Sequence, residues 1–336
     1  MGIPLIDISA LSGPAGKDRD AVDAAILEAA SGVGFMLVKS DQLRLPLDAL
    51  LRIFTLPAKV TRQLWRQKFK PDQANVYRGW FPLQNGHATY KEGFDAGPDI
   101  AYGPERVVPG DPLGEATPLP PDHLLPGWRA EMASYYKEME QTGETLLKAI
   151  ARGLGQPEDV FVPAFTGGIS TLRLLHYPMR PPESYVGVNA GEIRTEHEGT
   201  KVGLVGKAHA DSGFVTLLAQ HGIPGLQALD PTGKWVDVPP IEGTLTVNFG
   251  KLLERWTGGR IKATQHRVIA SESGQARHSV PFFYEPRIDA EIAPLQGLGG
   301  EFSSFFYGDH VWAAMMRFVE FEGLDHLRPQ TWKAAS

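Results

Sequence analysis

The run Lys207-Ala208-His209-Ala210-Asp211-Ser212-Gly213-Phe214-Val215-Thr216-Leu217-Leu218 places a polar pair, His209 and Asp211, at the head of an apolar, sheet-like segment. In an extended strand positions i and i+2 project from the same face, so this imidazole and this carboxylate point the same way. Two such groups can share one divalent metal. A third ligand is offered by His266, 57 residues on (266 − 209), in the strand-like run Ile261-Lys262-Ala263-Thr264-Gln265-His266-Arg267-Val268-Ile269. A His-x-Asp pair is cheap among ten histidines, and Asp211-Ser212-Gly213 alone reads equally as a plain turn. Context adds weight, because a strand starts directly after the pair. Eleven residues beyond His266 (277 − 266) comes Arg277-His278-Ser279, followed by Val280-Pro281-Phe282-Phe283-Tyr284. Arg277 and Ser279 also share a strand face, and a guanidinium beside a hydroxyl makes a fork for a carboxylate.

Two His and one carboxylate form the facial set of non-haem Fe(II) oxygenases, which leaves three coordination positions open. His-x-Asp, a distant His and Arg-x-Ser in this order resemble the isopenicillin N synthase-like family of 2-oxoglutarate/Fe(II) dioxygenases, which includes thymine 7-hydroxylase and anthocyanidin synthase. The likeness extends along the chain. Ile3-Pro4-Leu5-Ile6-Asp7 is similar to the family's opening strand, Gly34-Phe35-Met36-Leu37-Val38 to a second, and Leu172-Arg173-Leu174-Leu175-His176-Tyr177-Pro178 to the strand that ends in Tyr-Pro. Thr216-Leu217-Leu218, Gly225-Leu226-Gln227, Val247-Asn248-Phe249-Gly250 and Arg255-Trp256-Thr257-Gly258-Gly259 then follow in family order. One departure is Leu175, where plant members carry Asn, which weakens any analogy to flavonoid substrates.

The resemblance implies an α+β, mainly β fold whose core is a double-stranded β-helix, or jelly roll, with flanking helices. It also implies that His209, Asp211 and His266 hold Fe(II), that Arg277 and Ser279 grip the distal carboxylate of 2-oxoglutarate, and that Tyr177 helps hold this co-substrate. The reaction implied consumes O2 and 2-oxoglutarate, releases succinate and CO2, and hydroxylates, desaturates or cyclises a small organic substrate. Two alternatives stay open: a same-fold Fe(II) oxidase that does not use 2-oxoglutarate, and a non-catalytic jelly-roll binding protein. Strand parity offers two substrate contacts. Phe283 is four residues from Ser279 and so faces the pocket; Arg173 is four before Tyr177 and shares its face. An inward Arg needs an anionic or carbonyl partner, either a substrate or an internal Asp or Glu.

Composition is consistent with a globular enzyme. The chain is 42% hydrophobic and 21% charged, with a formal net charge of −6. That balance, with Lys and Arg scattered, argues against a nucleic-acid partner. The absence of Cys removes disulfides and thiolate chemistry. No run of 18 apolar residues and no N-terminal apolar region is present, so the expectation is a cytoplasmic protein without a membrane partner, monomeric or weakly homo-oligomeric.

The chain divides into an N-terminal α/β part over 1–100, a Pro-rich connector over 101–127, and a part over 128–336 with a supporting helix, jelly-roll core and C-terminal helix. Apolar spacing predicts helices over 18–30, about 46–64 with an interruption near Pro57, 128–153, and about 303–324. Asp230-Pro231-Thr232-Gly233 suits a hairpin turn. Among the other histidines, His197 reads as part of a solvated loop; His87, His123, His221, His310 and His326 read as surface or satisfied core; His176 and His278 face away from the pocket by parity.

Overall fold

In the long strands of the β-rich half, inward residues alternate with ones that face the flanking helices, as side chains in an extended chain point to opposite faces in turn. The computed structural model describes residues 2–270 and 275–328; the last residues of the part expected over 128–336 lie outside the described residues. The strands are β1 (Leu5–Asp7), β2 (Phe35–Lys39), β3 (Gly79–Phe81), β4 (Glu92–Ala96), β5 (Thr171–Tyr177), β6 (Arg194–His197), β7 (Thr200–His209), β8 (Val215–His221), β9 (Leu226–Leu229), β10 (Trp235–Asp237), β11 (Leu245–Phe249), β12 (His266–Ile269) and β13 (Arg277–Tyr284). One sheet has the order β1-β2-β11-β8-β13-β5-β4-β3, the other β10-β9-β12-β7-β6. Their curled, facing arrangement with flanking helices is a jelly roll.

The large sheet packs its outer face on the helix Trp128–Gly153. Leu172 and Leu174 of β5, Leu217 and Ala219 of β8, and Val280 and Phe282 of β13 are all fully buried there. Tyr136 meets the edge of Phe282 with ring centroids 5.0 Å apart. Gly143 lies so close to Tyr284 that a Cβ would stand 2.7 Å from the ring, which explains a glycine in mid-helix. Each such buried aromatic or aliphatic side chain contributes roughly 1.5–3 kcal/mol. The opposite residues of the same strands face the second sheet across a cavity. A smaller apolar cluster of Phe35, Leu37, Leu226, Ala228, Val238 and Val268 joins the sheets to one side of it.

Sequence expectations and structure differ in three places. Residues 46–64 form separate short turns, Leu47–Leu51, Arg52–Thr55, Ala58–Thr61 and Arg62–Leu64, because Leu56 and Pro57 are extended. At the other end only Tyr307–Met315 is a regular helix, preceded by the short strand Phe305–Phe306. The chain then turns over the cavity, where Lys68 Nζ donates to the Val319 carbonyl at 2.5 Å and Lys91 pairs with Glu320 at 3.2 Å. His197 is not in a loop but in β6, half-buried, with Nδ1 2.8 Å from Gln227 Nε2. The expected hairpin does form between β9 and β10; Gly233 takes φ +82° and Asp230 Oδ1 accepts from the Thr232 and Lys234 amides. Among the described residues no helix is long and apolar enough to cross a membrane.

On the outer face of the large sheet His176, His278 and His221 are cross-strand neighbours. His176 and His278 stack at 4.6 Å, His176 Nδ1 is 2.8 Å from Glu92, and His221 Nε2 is 2.9 Å from Asp48. Burial, with the adjacent His176, His221 and Arg277, pulls His278 down to about 4. Because the folded value lies below the unfolded 6.5, stability is fully present above about pH 6.5 and falls as the pH drops toward 4. His278→Phe is therefore expected to flatten this slope: urea midpoints measured at pH 7.5 and 5.0 will differ less in the variant than in the parent.

Candidate metal and co-substrate site

Register brings the two imidazoles together. His209 closes β7 and is paired directly with His266, the first residue of β12, with ring centroids 4.4 Å apart. Their Nδ1 atoms face main-chain carbonyls, His209 that of Lys207 at 2.8 Å and His266 that of Thr264 at 3.4 Å. Nδ1–H donation fixes the tautomer and leaves each Nε2 lone pair free to bind a metal.

Asp211 arrives from the other direction. Beyond β7 the chain is pinned to the start of the helix Lys251–Trp256: Lys251 N donates to Asp211 O at 2.8 Å and Leu252 N to Gly213 O at 3.1 Å. Gly250 permits this approach, since a Cβ there would sit 2.2 Å from the Gly213 oxygen. Thr216 and Asn248, directly opposite each other on β8 and β11, both donate to Asp211 Oδ2, at 2.5 and 2.8 Å. Oδ1 is left facing both imidazoles, 3.7 Å from each Nε2. The three ligand groups lie within 4.8 Å of one another.

Burial pushes the Asp211 carboxyl up, but the two histidines and the Thr216 and Asn248 hydrogen bonds outweigh it and hold it below the usual range. Burial pulls His266 down to about 4. An ionised carboxylate and a neutral buried imidazole are the protonation states a metal requires. The donor set fits Fe(II): two nitrogens and one oxygen converge on one side, with the other side open to a cavity of about 480 Å³.

Along the same cavity, Arg277 is buried at the start of β13. Nη1 donates to Ser279 Oγ at 3.3 Å and Nη2 to Gln220 Oε1 at 3.2 Å, while the guanidinium lies 5.3 Å from the Tyr177 ring centroid. Nε has no hydrogen-bond partner, and no carboxylate pairs with this cation among the described residues. Burial lowers its pKa, yet a guanidinium stays charged at neutral pH. Tyr177, on β5, is the cross-strand partner of Arg277, so the three residues expected together are adjacent.

Arg173 and Phe283 also line the cavity. Arg173 donates through Nε and Nη2 to Asp95, both at 2.7 Å, so its partner includes an internal carboxylate. Its guanidinium lies between the Phe81 and Phe283 rings, 5.3 and 5.5 Å from their centroids. Sequence reading assigned no role to Thr216, Asn248, Gln220 or Asp95. The signal was a polar side chain inside an otherwise apolar strand, clearest for Asn248 in Leu245-Thr246-Val247-Asn248-Phe249.

A jelly roll with two imidazoles and a carboxylate at one point, open to a cavity, has the donor set of the non-haem Fe(II) oxygenases. Residues 182–286 match the model of the 2OG-Fe(II) oxygenase superfamily. The chain is 30% identical over 298 residues to the 2-oxoglutarate-Fe(II) type oxidoreductase hxnY of Emericella nidulans, covering 85% of this chain and 80% of that protein. It is 31% identical over 316 residues to clavatol oxidase claD of Penicillium crustosum, covering 88% and 89%. Among solved structures, the full-length thymine 7-hydroxylase of Neurospora crassa in complex with alpha-KG and 5-formyluracil is similar at TM-score 0.74 and 25% identity, over 92% of this chain and 94% of that one. The chain belongs to the 2OG-Fe(II) oxygenase superfamily and is a 2-oxoglutarate-dependent dioxygenase.

Asn248→Ala and Thr216→Val each remove a hydrogen bond that aims Asp211, and each is expected to weaken divalent-metal affinity by roughly 10–100-fold. Calorimetric titration with Mn(II) measures this without turnover. His209→Ala, Asp211→Ala and His266→Ala are expected to abolish Fe(II)-dependent succinate formation, since each removes one of the three candidate ligands.

Proposed function

We propose that His209, Asp211 and His266 hold Fe(II), that Arg277 and Ser279 with Tyr177 beside them seat the distal carboxylate of 2-oxoglutarate, and that the substrate is a small molecule bound against Arg173 and Phe283. The single observation that carries the co-substrate assignment is the buried Arg277 guanidinium with no carboxylate partner among the described residues. A cation in that state gains most from an anionic ligand. Fe(II), when bound, supplies the activation of dioxygen that couples 2-oxoglutarate decarboxylation to oxidation of the substrate.

The chain's own residues orient and shield. Arg277 and Ser279 project from one face of β13, so the distal carboxylate meets a fork of fixed geometry. Thr216 and Asn248 hold the Asp211 carboxylate with one oxygen inward. Phe283 presents a ring to the cavity on the same strand face, and Arg173, held by Asp95, presents a guanidinium edge. These two supports favour a partly planar substrate with a carboxylate, carbonyl or similar acceptor.

Arg277→Leu is expected to weaken 2-oxoglutarate by roughly 2–5 kcal/mol, as for other desolvated charge pairs, with Fe(II) affinity nearly intact. Titrating the Fe(II)/2-oxoglutarate charge-transfer absorption under anaerobic conditions measures it; no such absorption in the parent protein is the result that favours an oxidase independent of 2-oxoglutarate. Once a substrate is identified by stimulated succinate formation, Arg173→Ala and Phe283→Ala are expected to raise its KM or uncouple succinate from product. Affinity for 2-oxoglutarate stays within a few-fold of the parent's if both residues serve the substrate.

A further inference from the structure

Arg277 has a third neighbour besides Ser279 and Tyr177, and it is neutral. Gln220 stands directly across from Ser279 in the β8–β13 ladder and points to the inner face, as do Thr216 and Leu218. Its Nε2 lies 3.2 Å from the Val238 carbonyl, 3.5 Å from that of Pro239 and 3.2 Å from Thr246 Oγ1. The two carbonyls accept only, so this atom is the donor and the amide is locked in one orientation. Oε1 is thereby turned to Arg277 Nη2, 3.2 Å away.

A neutral acceptor at this point has two effects. It holds one guanidinium nitrogen, which selects one orientation of a side chain whose Nε has no partner. It also adds no negative charge, and no carboxylate pairs with Arg277 among the described residues. A carboxylate at the same place would form a buried ion pair with Arg277 and remove the reason for an external anion to bind. A purely apolar side chain would keep the charge but release the orientation.

We propose that Gln220 is a positioning residue that sets the affinity for 2-oxoglutarate by fixing the Arg277 guanidinium without neutralising it. The inference rests on Arg277 as the co-substrate clamp. It assigns Gln220 no contact with iron or substrate, so its influence is confined to ligands that carry a distal carboxylate.

The test compares the anaerobic Fe(II)-bound parent with Gln220→Glu, Gln220→Leu and Arg277→Leu. Dissociation constants are measured for 2-oxoglutarate and for 2-oxopentanoate, a 2-oxo acid of the same chain length without the distal carboxylate. Gln220→Glu is expected to weaken 2-oxoglutarate by about 30-fold or more and Gln220→Leu by about 10-fold, the scale of a lost charge pair and the lower end of a lost hydrogen bond to a charged group. Binding of 2-oxopentanoate and Mn(II) should shift less than about two-fold, since only the distal carboxylate reaches Arg277. Should Gln220→Glu fail to fold, Gln220→Leu decides on the same criteria. Variants that bind 2-oxoglutarate like the parent, or that lose both oxo acids equally, overturn the proposal. If Arg277→Leu itself keeps parental affinity, the clamp assignment is what fails; if it loses affinity while the Gln220 variants do not, the positioning role alone is refuted.

Discussion

The site depends on the two oxygens of Asp211 doing different things. Oδ2 belongs to the large sheet through Thr216 and Asn248, while Oδ1 faces the paired histidines of the small sheet. One carboxylate therefore ties the two layers together at their open end, and the distance between the sheets becomes the distance between the candidate ligand atoms. Loss of either donor to Oδ2 lets the carboxylate rotate, and among the described residues no fourth His or carboxylate joins the three candidate ligands to make up for it. The backbone is committed to the same purpose: the turn after β7 is pressed onto Gly250, where no side chain fits.

The second constraint is electrostatic. Arg277 is buried in the same cavity, held by a hydroxyl and an amide oxygen. Removing a cation from water costs several kcal/mol, which neutral hydrogen bonds offset only in part. The fold can carry that cost because the apolar outer faces of β5, β8 and β13 are packed on one long helix. Inner-face side chains on those strands are thus free to serve ligands rather than stability.

Strand parity explains why so much of this was legible in the sequence. Arg277 and Ser279, an i, i+2 pair, do share one face of β13, whereas Asp211 lies beyond the end of β7 and reaches the side of His209 through its contacts with Lys251, Thr216 and Asn248. The helix Trp128–Gly153 was legible for a similar reason, its apolar spacing being local and uninterrupted. What failed was whatever depended on distant partners. The interruption near Pro57 is a local signal and is present, although the pieces of 46–64 on either side of it divide further into short turns; the stretch after Met315 leaves the helix to cover the cavity, tied by Lys68 and Lys91. Asn248 and Gln220 acquire meaning only from cross-strand register, which no local pattern encodes. An inward Arg173 called for a ligand or an internal Asp or Glu, but Asp95 is 78 residues away and nothing in either segment singles it out as that partner.

That pair changes what kind of contact Arg173 offers. A free arginine arm loses about 2 kcal/mol of rotamer entropy when it grips a ligand. Here the order is already present, because two hydrogen bonds to Asp95 and rings on either side fix the guanidinium before any ligand arrives. Asp95 is also shared, since the buried Arg66 donates to the same carboxylate oxygen as Arg173 Nη2, and Arg66 Nε and Nη1 have no partner. Lys91 adds a further cation on the wall and Glu320 a further carboxylate, so three positive charges face two negative ones among these residues. Of these residues Arg173, Lys91 and Glu320 line the cavity, together with Glu285, while Arg66 and Asp95 stand buried behind them and hold the Arg173 guanidinium rigid beside Phe283. A ligand group gains there in proportion to its negative potential and to how well its plane matches a guanidinium that does not move to meet it.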